Sequence, residues 1–335
     1  MKGTEQKSSG RNSSLHMLMT NYGSEIGVLI ALILYCAVIS FLSPYFLTSR
    51  NMLNLFSQLS VVGLLAIGEI FVLLTGGIDL SVGNTMGLSC MAGGMVMAST
   101  QNMAAGILVA LATGLGCGVL NGFLVGYVGL PAFIVTLGMM DITRNADYLM
   151  CGGVGINNLP ESIKVLTKAK LFGINGYYFI IVLLFILTGW ILNNTKLGRN
   201  TYAIGSNKNA ARLSGVNTKL ATLLPYVISG LFAGIGAVVL MSRFAAVDPN
   251  YGSGYEMNAI AACVVGGASL AGGKGSMLGT FIGVVLMTCI SNGLDILGVS
   301  PYWQGVTIGC VIIGVLLIET YSEKAKSRSK SKNKA

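Results

Sequence analysis

Histidine is nearly missing from this chain: His16 is the only one in 335 residues. That excludes a metal centre built from imidazoles. Charge is scarce as well, at 10% of residues. Soluble domains run nearer a quarter charged, so a water-facing surface cannot be covered. The seven cysteines contain no CxxC pair and sit in or beside apolar stretches. They read as small buried hydrophobes, and neither a disulfide frame nor a metal site is legible. No GxGxxG follows a strand, and Ala268-x-x-x-x-Gly273-Lys274-Gly275 fails the phosphate-loop pattern at its first Gly and its final Ser/Thr. No Ser/His/Asp set exists, so no enzymatic chemistry, cofactor or metal is called for.

What is present is apolar. Hydrophobic residues make up 53%, with 46 Gly and 16 Met, and the mean hydropathy is +0.73. The expected fold class is an all-α polytopic membrane protein. At about 20 residues per span, about ten transmembrane helices fit, with little left for a soluble domain.

The net charge of +9 is concentrated in three patches: +2 from Lys2, Lys7 and Arg11 against Glu5, +5 between residues 194 and 221, and +5 between residues 323 and 335. Each flanks apolar runs, so the positive-inside rule places them in the cytoplasm and nucleic acid is not the expected partner. The domain expectation follows: a basic tail at 1–22, a membrane domain at 23–320 with a cytoplasmic loop at 194–219, and a basic tail at 321–335, both termini inside.

Seven spans stand out: Ile26–Leu42, Leu59–Leu74, Ala104–Val128, Tyr178–Leu192, Lys219–Met241, Met277–Ile290 and Gly305–Ile318. The first lacks a small-residue cleavage site and reads as a retained helix. Leu80–Ala98, Ala132–Met150 and Glu256–Leu270 complete ten, the last short enough to be re-entrant instead. Ten keeps the three basic patches on one side. Residues 152–175 then face outside, against the rule, with Lys164, Lys168 and Lys170. Asn121-Gly122 ahead of Pro131 and Asn292-Gly293 ahead of Pro301 hint at an inverted repeat five spans apart.

The glycines fall at four-residue spacing in Gly83/Gly87, Gly114/Gly118/Gly122, Gly230/Gly234, Gly279/Gly283 and Gly305/Gly309. Such spacing lets helices approach closely in lipid. The most distinctive stretch is Leu74-Thr75-Gly76-Gly77-Ile78-Asp79-Leu80-Ser81-Val82-Gly83. Gly76 and Gly77 interrupt an apolar run, Asp79 is expected to cap a new helix, and Ser81 follows. The whole reads either as a tight turn between spans or as broken backbone beside a transport path. Glu69, Asp141 and Arg144 are intramembrane ionisable residues and therefore functional candidates. Asp141, Arg144 and Asp147 recur every three residues and suggest an ion cluster. In the basic loop, Asn207 is placed to cap a short helix from Lys208, with Gly215 as its left-handed stop.

These stretches resemble the ribose-type permease subunits of bacterial ABC sugar importers over roughly residues 47–319. The resemblance is carried by residues 73–83, by Gly129-Leu130-Pro131-Ala132-Phe133-Ile134-Val135-Thr136-Leu137-Gly138, by Gly198-Arg199, Ala203-Ile204-Gly205-Ser206-Asn207 and Ala210-Ala211-Arg212-Leu213-Ser214-Gly215-Val216, and by Gly266-Gly267-Ala268-Ser269-Leu270-x-Gly272-Gly273. It implies import of a simple sugar by alternating access across the bacterial cytoplasmic membrane. It further implies a second permease copy, a separate ATPase subunit and an extracytoplasmic sugar-binding protein. Gly205, Asn207, Ala210, Ala211, Arg212, Ser214 and Gly215 would then couple to the ATPase. The chain departs from the family at Asp141, Asn145 and Asp147, where smaller or uncharged residues are expected. A rival reading is an ion-coupled sugar carrier using Glu69, Asp79 and Asp141.

Overall fold

A computed structural model describes residues 9–171 and 174–332. Residues 1–8 and 333–335 of the expected basic tails lie outside them. The described chain is helical: α1 (Ser9–Leu42), α2 (Ser49–Leu74), α3 (Val82–Thr100), α4 (Met103–Phe123), α5 (Ala132–Cys151), a short α6 (Val165–Lys168), α7 (Tyr177–Asn194), α8 (Lys196–Leu213), α9 (Thr218–Phe244), α10 (Tyr255–Val265), α11 (Met277–Ile296) and α12 (Pro301–Lys332). Two two-residue strands, β1 (Lys170–Leu171) and β2 (Ile174–Asn175), pair antiparallel between α6 and α7.

Each of the ten expected segments coincides with one of these helices. By length and composition, however, six helices qualify as membrane spans: Glu25–Leu42, α2, Met103–Val128, α7, α9 and α11. The helices α3 and α5 are long but diluted by small, polar or charged residues, and α10 has only eleven residues. A count of ten is therefore not reached on this measure.

The most central helix is α2, with 89% of its apolar window buried. Its neighbour α9 packs against α2, α3 and α4. The α4–α9 crossing is made by glycine on glycine. A Cβ on Gly114 would collide with the carbonyl of Gly230, and one on Gly118 with the carbonyl of Tyr226. Gly279 and Gly283 meet the backbone of Gly266 and Ala262 in the same way. Gly305 and Gly309 have nothing within 4 Å, so that pair does not pack within the described chain, contrary to its spacing.

Buried polar pairs join the helices elsewhere. Asn51 of α2 and Asn292 of α11 exchange two amide bonds of 2.9 Å. At one end of the bundle, α6 docks on α9 through Thr167 and Ser242 (Oγ–Oγ 2.9 Å). Lys164, which broke the charge pattern there, pairs with exposed Glu161 at 2.5 Å. Its hydrogen bond and charge hold that carboxyl below the usual range.

Candidate functional site: a broken backbone and a capped helix

The helix α2 ends at Leu74, and α3 does not start until Val82. Between them Gly76 takes φ +80°, a left-handed turn that glycine adopts without strain. Irregular backbone survives inside a bundle only when its polar groups are satisfied by protein. Here α2, α5 and the loop ahead of α11 satisfy it. The carbonyl of Leu74 accepts from Gly273 N (2.9 Å), and the carbonyl of Ile78 accepts from Thr136 Oγ1 on α5 (3.1 Å). The Asp79 N–H donates to Glu69 Oε1 on α2 at 3.1 Å.

The Asp79 carboxylate is 2% exposed. Oδ1 accepts from Ser81 N (3.0 Å) and Ser81 Oγ (2.6 Å), and Oδ2 accepts from Ser229 Oγ on α9 (2.8 Å). Ser81 Oγ in turn accepts from Asn121 Nδ2 on α4 at 2.9 Å. The expected helix cap is thus corrected. Asp79 bonds the residue two ahead, in a local turn, instead of the free N–H groups of the first turn of α3. The phenol of Tyr226 points at Gly77, where a Cβ would collide with it. Glu69, Gly76, Gly77, Asp79 and Ser81 are therefore one cluster. Asn121, Thr136, Tyr226 and Ser229 complete it, and as single polar residues in apolar helices they carried no signal of this role.

Asp141 and Arg144 do not join it. The expected ion cluster is absent, since no salt bridge links Asp141, Arg144 and Asp147 among the described residues. Helical geometry explains this: each step of three residues falls about 60° short of a full turn, so Asp141 and Asp147 diverge. Asp147 is buried against Gly87, whereas Asp141, Arg144 and Asn145 are exposed on α5. A further acid, Glu256 at the head of α10, is buried against Gly83 and accepts from Gly254 N at 3.2 Å. Its place at the head of an expected apolar span was the signal that sequence reasoning passed over.

On the loop between α7 and α9, α8 breaks at Asn207 (φ −163°, ψ 102°). Asn207 Oδ1 accepts from Ala210 N at 2.9 Å, which makes it the N-cap of a separate six-residue helix over 208–213. The helix closes with Gly215 N to Arg212 O (3.0 Å) and Val216 N to Ala211 O (3.1 Å). Gly215 sits at φ +85°, the paired arrangement of a Schellman stop. Ala211 alone turns inward, packing with Ile204 and Ala221. Ala210, Arg212, Ser214 and Gly215 are exposed, and Leu213 is 89% exposed.

Gly205 ties this helix to the break. A Cβ there would collide with the Leu74 carbonyl and with Gly273 N. Gly272, at φ +85°, stacks its backbone on both Gly76 and Gly205, and Gly273 on Ser206. Three motifs far apart in sequence therefore meet backbone to backbone at one node.

Residues 51–316 match the family described as branched-chain amino acid transport system, permease component. The chain is 37% identical to the ribose import permease protein RbsC of Escherichia coli K12 over 300 residues, covering 87% of this chain and 92% of that protein. It is 34% identical to the autoinducer 2 import system permease protein LsrC of Enterobacter sp. strain 638, covering 91% and 89%. The corresponding protein of Yersinia pseudotuberculosis strain IP 31758 is 35% identical, with 87% and 83% covered. No solved structure matches. These relatives are import permeases and lend the ion-coupled carrier no support. The chain belongs to this permease-component family and is the membrane-spanning, non-enzymatic transport subunit of an ABC importer.

Proposed function

We propose that the chain imports a simple sugar, ribose or a similar pentose or hexose, by alternating access, and that two copies form the path. Ribose is the solute named for the Escherichia coli relative. In this reading the chain crosses the cytoplasmic membrane ten times, with both termini and the 208–213 helix in the cytoplasm. A separate ATPase docks on that helix, and an extracytoplasmic binding protein delivers the sugar.

The observation that carries the reading is the capped, exposed helix tied through Gly205 to Gly272, Gly273 and Gly76. Close-packed backbones transmit displacement because they have no slack to absorb it. Movement of the helix by the ATPase thereby reaches the Gly76–Ser81 break, and the surrounding helices rearrange.

The test is uptake by liposomes holding the chain with its ATPase and binding protein. Wild type takes up ribose only when ATP is supplied. Ala211→Asp places a charge in the buried contact with Ile204, and Gly215→Pro destroys the stop. Both variants are expected to reach the membrane folded and to lose uptake at least about tenfold, about 1.4 kcal/mol of coupling. Uptake driven by an ion gradient without ATP would overturn the reading.

A further inference from the structure

Between α7 and α11 lies a groove of about 950 Å³. On the α7 side its wall is Val182, Phe185, Ile186, Gly189 and Asn193, which recur at helical spacing on one face. Opposite stand Leu278 and Phe281 of α11, with Lys274 and Ser276 of the loop ahead of α11 and Glu25 of α1. Val182, Ile186 and Leu278 are exposed, so in a membrane the groove opens toward acyl chains and not toward the buried break.

Two features of this groove define an occupant. The first is how polarity changes along it. Val182, Phe185, Ile186 and Phe281 form an apolar stretch, with the Phe185 and Phe281 rings edge to face at 5.0 Å. Asn193, Lys274, Ser276 and Glu25 then make a polar end. From Val182 to Asn193 is about 16 Å of helix, and half the hydrocarbon core of a bilayer is about 15 Å. The groove is therefore apolar for the depth of one leaflet and polar where the headgroups begin. The second feature is charge of both signs at that end. Glu25 Oε1 accepts from Ser276 Oγ at 2.8 Å, which brings the carboxylate to the loop two residues from Lys274.

We propose that the groove holds one phospholipid with an ethanolamine-type headgroup. Its acyl chain lies against Phe185 and Phe281, and its headgroup sits between Lys274 and Glu25. The phosphate diester complements the Lys274 ammonium, and the primary ammonium of the lipid has three N–H donors for Glu25. A net negative glycerol headgroup would bring Glu25 no cation, and a quaternary choline has no N–H to donate. A small polar solute would strand the apolar stretch. The headgroup rests on the loop whose Gly272 and Gly273 pack on Gly205 and Ser206, and Tyr202 of α8 donates to the Gly275 carbonyl there at 2.9 Å. The proposal needs no particular solute or energy source. In the proposed orientation the leaflet is the cytoplasmic one.

Native mass spectrometry of the full chain counts bound lipid directly. The purified protein is delipidated in detergent and titrated with phosphatidylethanolamine, phosphatidylglycerol and phosphatidylcholine of matched acyl chains. One phosphatidylethanolamine per chain is expected to be retained at least about threefold better than either competitor. Glu25→Gln should bring phosphatidylethanolamine and phosphatidylglycerol together. Lys274→Ala should weaken phosphatidylethanolamine about tenfold, while Lys274→Arg keeps it. Gly189→Leu puts a side chain into the groove beside Met277, 3.3 Å from a Cβ at that position, and should lower retention of all three lipids. Equal retention of the three by wild type overturns the proposal, as does an unchanged preference in Glu25→Gln at wild-type melting temperature. Should Glu25→Gln melt early, Lys274→Ala against Lys274→Arg decides instead, and equal retention by those two overturns it.

Discussion

Glu69 and Asp79 are the residues on which the importer and the ion-coupled carrier part company. In the structure Glu69 is fully buried and gives Oε1 to the Asp79 N–H. That role needs an acceptor oxygen, which a glutamine also provides. Glu69→Gln is therefore expected to keep ATP-driven uptake near wild type, whereas Glu69→Ala strands the Asp79 N–H. Losing a partner for a buried group costs about 1–3 kcal/mol, visible as a lower melting temperature of the purified protein. Uptake abolished in Glu69→Gln while its melting temperature holds would show that the charge itself is used.

The break was visible in sequence because two glycines and an acid are conspicuous in an apolar run. Its partners were not, because Ser229 lies 150 positions from Asp79 and nothing local marks it. Spacing also misled at α5, where a three-residue recurrence looks like one face but drifts around the helix.

Among the elements, the 208–213 helix was legible nearly to the atom, since caps are local chemistry: Asn207 and Gly215 do what their positions dictate. Replacing Asn207 by Ala removes the cap, worth about 1 kcal/mol, and Asn207→Ser restores an acceptor. Binding-protein-stimulated ATP hydrolysis should fall in the first and recover in the second. Equal hydrolysis in both would detach the cap from coupling. Helix packing was legible only in part. Gly230 and Gly309 both sit in four-residue glycine spacings, yet one meets Gly114 and Gly118 and the other open space. Gly230→Leu should overpack the α4–α9 crossing and cost about 1–3 kcal/mol. Gly309→Leu should leave the melting temperature of the monomeric chain unchanged. The short α10 was legible from the brief apolar run after Glu256, whereas the π-turn over residues 124–128 had no such marker, because hydropathy reports burial and not backbone pitch.

For the whole molecule, the exposed face of α5 sets the requirement. Asp141 lies ten residues into a twenty-residue helix, and Arg144 and Asn145 follow on the exposed side. A charge facing lipid at mid-span costs about 2.5–3.5 kcal/mol on the insertion scale. Two such charges cost about 5–7 kcal/mol together, comparable to the whole stability of a marginal fold. On the proposed ten-span reading, water or protein covers this face, and the proposed second copy, apposed across a polar path, would provide both. Asp141 and Asn145, where the resemblance leads one to expect smaller or uncharged residues, would then sit where the two proposed copies and the solute meet. With the native cysteines replaced by Ser or Ala, Asn145→Cys should cross-link into a dimer in membranes, and Ile186→Cys, exposed on α7, should not. Replacing Asp141 and Arg144 together by Leu should slow ribose uptake while leaving the amount of protein in the membrane unchanged. Cross-linking at Ile186 but not at Asn145 would move the second copy to the α7 face and leave α5 lining a path within one chain.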